Sequence, residues 1–211
     1  MNGPHFLIDG PDDASLTLAL AHGAGAPMDS PFMQAMAEGV AANGFRVARF
    51  EFPYMAKRRA TGQKKPPDRA DILLAAWRDV VGRLGPERLV VGGKSMGGRI
   101  ASMVADGVGA RGLVCLGYPF HPPGKPQNLR VEHLSTMRTP TLILQGERDP
   151  FGTPPEVAGY DLPPAIKVAW IADGDHSFKP RKSSGRTERQ NWDDAILRIA
   201  AFLKALPDGA R

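Results

Sequence analysis

The chain alternates short, almost continuously apolar runs with longer segments whose apolar positions recur at a helical period. The runs are Phe6-Leu7-Ile8, Leu16 to Ala21, Val47 to Phe52, Leu89-Val90-Val91, Leu113 to Leu116, Thr141 to Leu144 and Ile166 to Ile171. Strands this apolar are buried on both faces, the condition of a parallel sheet lying between two layers of helices. Met33, Met36, Ala37 and Val40 mark one helix, with Asp29 or Ser30 as its cap, Pro31 at its first position and Asn43-Gly44 closing it. Leu73, Trp77, Val80, Val81 and Leu84 mark a second that stops at Gly85-Pro86, and Ile100, Met103 and Val104 a third. A last helix carries Trp192, Ile196, Ile199, Ala200 and Leu203 behind the capping box Thr187-x-x-Gln190. Weaker helical patterns cover Leu129 to Met137 and Glu156 to Tyr160. Residues 53–69 and 176–190 have no apolar period and read as long polar loops.

The pattern predicts an α/β fold: a mostly parallel, twisted sheet of about seven strands with helices on both faces. No internal repeat or linker divides the 211 residues, so 1–211 reads as a single domain. In such sheets ligands gather at the carboxyl ends of the strands. Every unusual loop of this chain follows a strand.

The most informative corner is Leu89-Val90-Val91-Gly92-Gly93-Lys94-Ser95-Met96-Gly97-Gly98-Arg99. An apolar strand stops at two glycines, a serine sits at the turn, and two further glycines open a helix. This is the layout of a nucleophile elbow, G-x-S-x-G, in which a strained turn presents a hydroxyl and flanking side chains would collide with packed backbone. Acyl transfer by a serine also needs a base, a carboxylate to orient the base, and donors for the oxyanion. Asp149 follows a strand two strands later and His176 follows the last, in the order Ser, Asp, His. Asp173 and Asp175 are the reserve carboxylates. The loop His22-Gly23-Ala24-Gly25 offers small residues whose backbone can approach an oxyanion, so the Ala24 and Met96 N–H groups are the expected donors, with Gly25 the second choice in the loop. His22 reads as loop scaffolding. Gly25, Lys94, Tyr54 and Phe120 are candidate substrate contacts.

These motifs, with Gly146-Glu147-Arg148-Asp149-Pro150-Phe151-Gly152 and Gly174-Asp175-His176-Ser177-Phe178, resemble the α/β-hydrolase superfamily. More narrowly, the chain resembles small bacterial hydrolases related to a testis-expressed hydrolase-like protein and to the hydrolase-like domain of a histone-acetyltransferase complex subunit. The resemblance runs from about Leu16 to Leu203. It implies the α/β-hydrolase fold and the triad Ser95, Asp149 and His176. Two departures from the wider superfamily stand out: a single strand precedes the oxyanion-loop strand, and Pro119 to Pro140 is too short for a helical cap domain.

Charge adds a hypothesis about substrate. The formal net charge is +5, and it is concentrated. Lys57, Arg58, Arg59, Lys64, Lys65 and Arg69 stand against Asp68 alone, and Lys179, Arg181, Lys182, Arg186 and Arg189 against Glu188 alone. Loops at strand ends would carry this charge to the active-site rim, where it could steer an anionic small-molecule substrate. A P-loop is excluded, because Arg88 stands where its first glycine must be and Val90-Val91 are still strand. Nucleic-acid binding has the charge but no recognisable motif. The five histidines are not at ligand spacing, so neither metal nor other cofactor is expected. A single cysteine, Cys115, reads as a core filler and fits a reducing compartment. With no apolar run long enough to span a membrane and Asp9, Asp12 and Asp13 where a signal peptide needs an apolar core, the expected location is the cytoplasm. The reading is a serine hydrolase acting on an ester, thioester or amide. The alternative is a hydrolase-fold protein-interaction module with Phe52, Tyr54, Phe120 and the Pro-rich loops as its contact surface.

Overall fold

The computed structural model describes residues 4–207. Its strands are β1 (Phe6–Asp9), β2 (Thr17–Ala21), β3 (Arg46–Phe50), β4 (Leu89–Lys94), β5 (Gly112–Leu116), β6 (Thr141–Gly146) and β7 (Ile166–Ile171). Its α-helices are α1 (Pro31–Ala41), α2 (Pro53–Thr61), α3 (Ala70–Leu84), α4 (Met96–Val104), α5 (Pro154–Val157) and α6 (Glu188–Ala205). The strands form one sheet in the order β1-β3-β2-β4-β5-β6-β7, with β1 antiparallel to β3 and every other pair parallel. This is the seven-stranded, mostly parallel sheet that the apolar runs predict.

Successive strand residues point to opposite layers. Leu18, Leu20, Val90, Val114 and Leu144 pack under α1 and α6, against Met33, Met36, Val40, Ile196 and Ile199. Ala19, Ala21, Val91, Leu113 and Cys115 pack under α3 and α4, against Leu73, Trp77, Val80, Ile100 and Val104. Cys115 is fully buried and its burial pushes the thiol pKa up, so it fills the core as its neighbours do.

Three polar segments differ from their sequence reading. Residues 53–61, expected as loop, form α2: Pro53 opens it and Gly62, at φ 71°, closes it in the left-handed conformation. Only Tyr54 and Met55 of α2 are buried, so there is no apolar period to read. The helix expected over 129–137 shrinks to a single 3₁₀ turn, Glu132–Leu134, with Leu134 its one buried residue. The helix expected over 156–160 starts earlier, at Pro154, because Thr153 and Glu156 close a capping box there. The Thr187–Gln190 box that opens α6 forms as read.

Between β5 and β6 there is only that 3₁₀ turn, so no helical cap covers the carboxyl edge of the sheet. The segments after β2, β4, β5, β6 and β7 all emerge there. Their approach is close. A Cβ on Gly97 would lie 2.5 Å from the His22 carbonyl oxygen and 2.6 Å from that of Ala21. Gly97→Ala is therefore expected to lower stability by about 2 kcal/mol or more in denaturant titrations. Gly25→Ala, with nothing within 4 Å of the added carbon, is expected to stay within about 0.5 kcal/mol of the parent.

Candidate active site

Ser95 sits between β4 and α4 at φ 52° and ψ −116°. Its N–H donates to the Leu116 carbonyl at 3.0 Å, and its own carbonyl accepts from the Arg99 N–H at 3.0 Å, so the sheet and the helix each hold one side of the turn. The other non-glycine residues with positive φ among those described are Asp173 and Phe178, which bracket His176. Backbone strain is thus confined to the serine and histidine turns, as is common at sites that must hold a fixed geometry.

The structure brings Ser95, His176 and Asp149 together. His176 Nε2 is 2.8 Å from Ser95 Oγ, and His176 Nδ1 is 2.7 Å from Asp149 Oδ2. Asp149 is fully buried. Its Oδ1 accepts the Phe151 N–H at 2.9 Å, and its Oδ2 also accepts from Gln145 Nε2 at 2.9 Å. Both oxygens thus act as acceptors, so Oδ2 accepts from His176 as well. Nδ1 then carries the imidazole proton, and Nε2 is left as the acceptor for the serine hydroxyl. The ring of Phe151 lies 4.3 Å, centroid to centroid, over the imidazole. Gln145 escaped the sequence reading. The only signal for it was a polar residue in an otherwise apolar strand.

The reserve carboxylates serve the loop instead. Asp175 Oδ1 accepts the N–H groups of Ser177 and Lys179 at 2.8 and 3.0 Å, and Asp173 pairs with Arg148 and Arg181. Gly117, at φ 68°, lets the histidine turn come near: a Cβ there would lie 2.9 Å from the His176 carbonyl oxygen.

Lys94 takes a different place from the one expected. Its stem lines the cleft, but its ammonium is buried and donates to the His176 carbonyl, with the Phe32 ring 5.6 Å away. It holds the histidine turn from below instead of offering a charge to substrate. Burial pulls its pKa down to about 8, against the opposing pull of Asp149 and Asp175.

His22 scaffolds its loop, as its position suggested. It is fully buried; Nε2 accepts the Phe52 N–H at 3.1 Å, which leaves Nδ1 to donate to the Gly23 carbonyl at 2.6 Å. Tyr54, read as a substrate contact, is buried and donates its hydroxyl to the Ala24 carbonyl at 2.9 Å, fixing the same loop. Phe120 is fully buried against Tyr118, Tyr160 and Gly152, where a Cβ would meet its ring at 2.5 Å. The cleft beside Ser95, about 420 Å³, is lined instead by Gly23, Ala24, Gly25, Phe32 and Lys94 together with His176. Phe52 is also fully buried, so the three aromatics assigned to an interaction surface are core residues.

The basic segments are partly neutralised within the chain. Arg59 forks to Glu51 and Asp29, Arg69 to Asp71, Arg181 to Asp173 and Arg189 to Asp193. Among the described residues no cluster of three or more His, Cys, Asp or Glu is arranged to hold a metal, and no helix is long and apolar enough to cross a membrane.

A second serine–histidine pair exists, Ser102 Oγ to His133 Nε2 at 2.8 Å. Its chemistry is different. The Ser102 hydroxyl donates to the Arg99 carbonyl at 2.7 Å, and the Tyr118 hydroxyl donates to the Arg130 carbonyl, so Nε2 must be the donor to Ser102. A protonated Nε2 cannot take the serine's proton. Among the described residues no carboxylate hydrogen-bonds this ring, and Ser102 is buried inside α4.

A lidless sheet of this topology, with serine, aspartate and histidine turns meeting at its carboxyl edge, is that of an α/β hydrolase. The chain belongs to that family: its sequence profile, described as an alpha/beta hydrolase domain, matches residues 14–204. Solved structures agree on the fold. One from Xanthomonas campestris, described as an α/β serine hydrolase without lid, is 16% identical with a TM-score of 0.69, covering 100% of this chain and 98% of that one. An α/β serine hydrolase homologue from Coxiella burnetii is 17% identical (TM-score 0.67; 96% and 95% covered), and a monoacylglycerol lipase from Paleococcus ferrophilus 13% identical (TM-score 0.71; 95% and 100% covered).

Two pH effects follow from these buried basic side chains. Lys94 titrates near 8 when folded and near 10.5 when unfolded, so the folded state binds fewer protons between those values and gains stability as pH rises through them. Lys94→Met has no such gain, and its melting temperature relative to wild type is expected to fall steadily from pH 8 to 10.5. His22 is held below its ordinary 6.5, chiefly by burial. Its contribution to stability is complete above 6.5 and is lost as pH falls below it. Melts of wild type and His22→Gln between pH 7.5 and 5 should therefore converge on acidification.

Proposed function

We propose that the protein is a serine hydrolase that cleaves an ester, thioester or amide of a small substrate through an acyl-enzyme. The observation that carries this reading is the unbroken chain from Ser95 Oγ through the His176 ring to buried Asp149, with the tautomer that catalysis requires. Substrate enters the open cleft with its carbonyl over Ser95. His176 Nε2 takes the hydroxyl proton as Oγ attacks, and Asp149 stabilises the imidazolium. The oxyanion is received by the N–H groups of Ala24 and Met96. Met96 is the first residue of α4, where the N–H has no intrahelical acceptor and the helix dipole favours negative charge. The Ala24 donor is supported by the clamp that His22 and Tyr54 place on its loop. The imidazolium then protonates the leaving group. Water enters, gives a proton to His176 and attacks the acyl carbon, and the protonated imidazole returns its proton to Ser95 as the acid departs. The steps call on no cofactor. A cytoplasmic location suits a chain whose single cysteine is a buried free thiol.

Steady-state hydrolysis of short-chain p-nitrophenyl esters tests the assignment. Ser95→Ala is expected to abolish turnover, and Asp149→Asn to lower kcat by about 10³–10⁴-fold by favouring the wrong tautomer. Ser102→Ala should keep turnover within a few-fold of wild type. Full activity in Ser95→Ala would overturn the reading.

A further inference from the structure

The cations at the carboxyl edge are not equally committed. Arg49, Arg59, Arg148 and Arg181 each hold a carboxylate. Among the described residues Arg99 and Arg130 hold none, and neither side chain donates a hydrogen bond to any of them. Both are half-buried. Arg99 Nε is shut off from solvent without a partner. An unpaired donor of a charged group in that position is costly, and it marks a place where an acceptor from outside the chain would be favourable.

The two arginines share one neighbourhood. Arg99 lies in the first turn of α4. Arg130 is pinned to the segment after β5, where its N–H donates to the Phe120 carbonyl at 2.8 Å and its carbonyl accepts the Tyr118 hydroxyl at 2.9 Å. Burial, and then the like charge of Arg99, hold the Arg130 pKa below its usual value. The Tyr118 phenol is within electrostatic reach of both guanidinium groups. The remaining polar groups there are already used: Ser102 and His133 bond each other, and Tyr118 bonds Arg130's backbone. Glu132, the acid beside His133, is exposed and forms no ion pair with either arginine. Two like charges held together, half out of water and without a counter-ion, are set for a planar oxyanion that both can fork.

The location connects this to chemistry. Arg99 is four residues beyond Ser95, whose carbonyl accepts its N–H, so its backbone lies about one helical turn, roughly 6 Å, from that of the serine. We propose that Arg99 and Arg130 form an anion subsite that receives a carboxylate or phosphate group borne by the substrate a few bonds from the scissile carbonyl. The proposal rests on the serine-hydrolase reading for the word substrate. It relocates the anion preference from the basic segments, several of whose arginines are already paired, to two that are not.

The test compares p-nitrophenyl half-esters of succinate, glutarate and adipate, and a phosphate-bearing acyl ester, with neutral esters of matched length. Wild type is expected to favour at least one anionic member by tenfold or more in kcat/KM. That ratio is expected to collapse towards unity in Arg99→Gln and in Arg130→Gln, and to persist in Arg78→Gln, which removes the same charge from the exposed face of α3. A wild-type ratio near unity, or a preference that survives in the double variant, would overturn the subsite. Calorimetric titration of wild type with glutarate and with inorganic phosphate reads the subsite without turnover. If no ester is hydrolysed, the serine-hydrolase reading fails by itself, while anion binding lost in Arg99→Gln still supports the subsite and absence of binding refutes it.

Discussion

A serine held at φ 52° carries conformational strain of about 1–3 kcal/mol, and it persists only where the surrounding packing allows nothing else. Here that packing is backbone against backbone. Gly93 and Gly97 bring the corner of β4 and α4 to within contact of the Ala21 and His22 carbonyls, leaving no room for a Cβ at either position. The same contact that holds Ser95 therefore sets the loop from His22 to Gly25 beside it. Ser95, the start of α4 and the loop are one packed unit.

Electrostatics completes what packing begins. Asp149 is buried with donors on both oxygens, and its place as an acceptor opposite Nδ1 selects the His176 tautomer. Lys94, one residue before Ser95, spends its ammonium on the backbone of His176, so β4 positions both ends of the serine–histidine hydrogen bond. A buried cation costs stability, and here it is placed where it orders the turn that carries His176. The second pair, Ser102 and His133, shows how much depends on protonation. At the same 2.8 Å separation its proton lies on the wrong nitrogen for base catalysis.

The strands and the meeting of Ser95, His176 and Asp149 were legible because their signals are local and simple. Apolar runs located every strand, and Ser95, Asp149 and His176 each stand just after one. α2 was hidden because a surface helix with two buried residues has no apolar period; Pro53 and Gly62 at its ends were the available signs. Tyr54 and Phe120 were read as contacts from residue type alone, which says nothing of direction, and both point into the core. Lys94 and the basic segments show the same limit. Sequence gives the count of charges, but which are spent on Asp29, Glu51, Asp173 or a backbone carbonyl depends on contacts between residues far apart in the chain.

The central claim is that Ser95, and not Ser102, is the activated hydroxyl. Intact-mass measurement after exposure to a fluorophosphonate, followed by peptide mapping of the adduct, tests it most directly. The account predicts one phosphonyl group per chain, located on Ser95 and absent from Asp149→Asn on the same timescale. An adduct on Ser102, or wild-type protein that takes up no label, would contradict it.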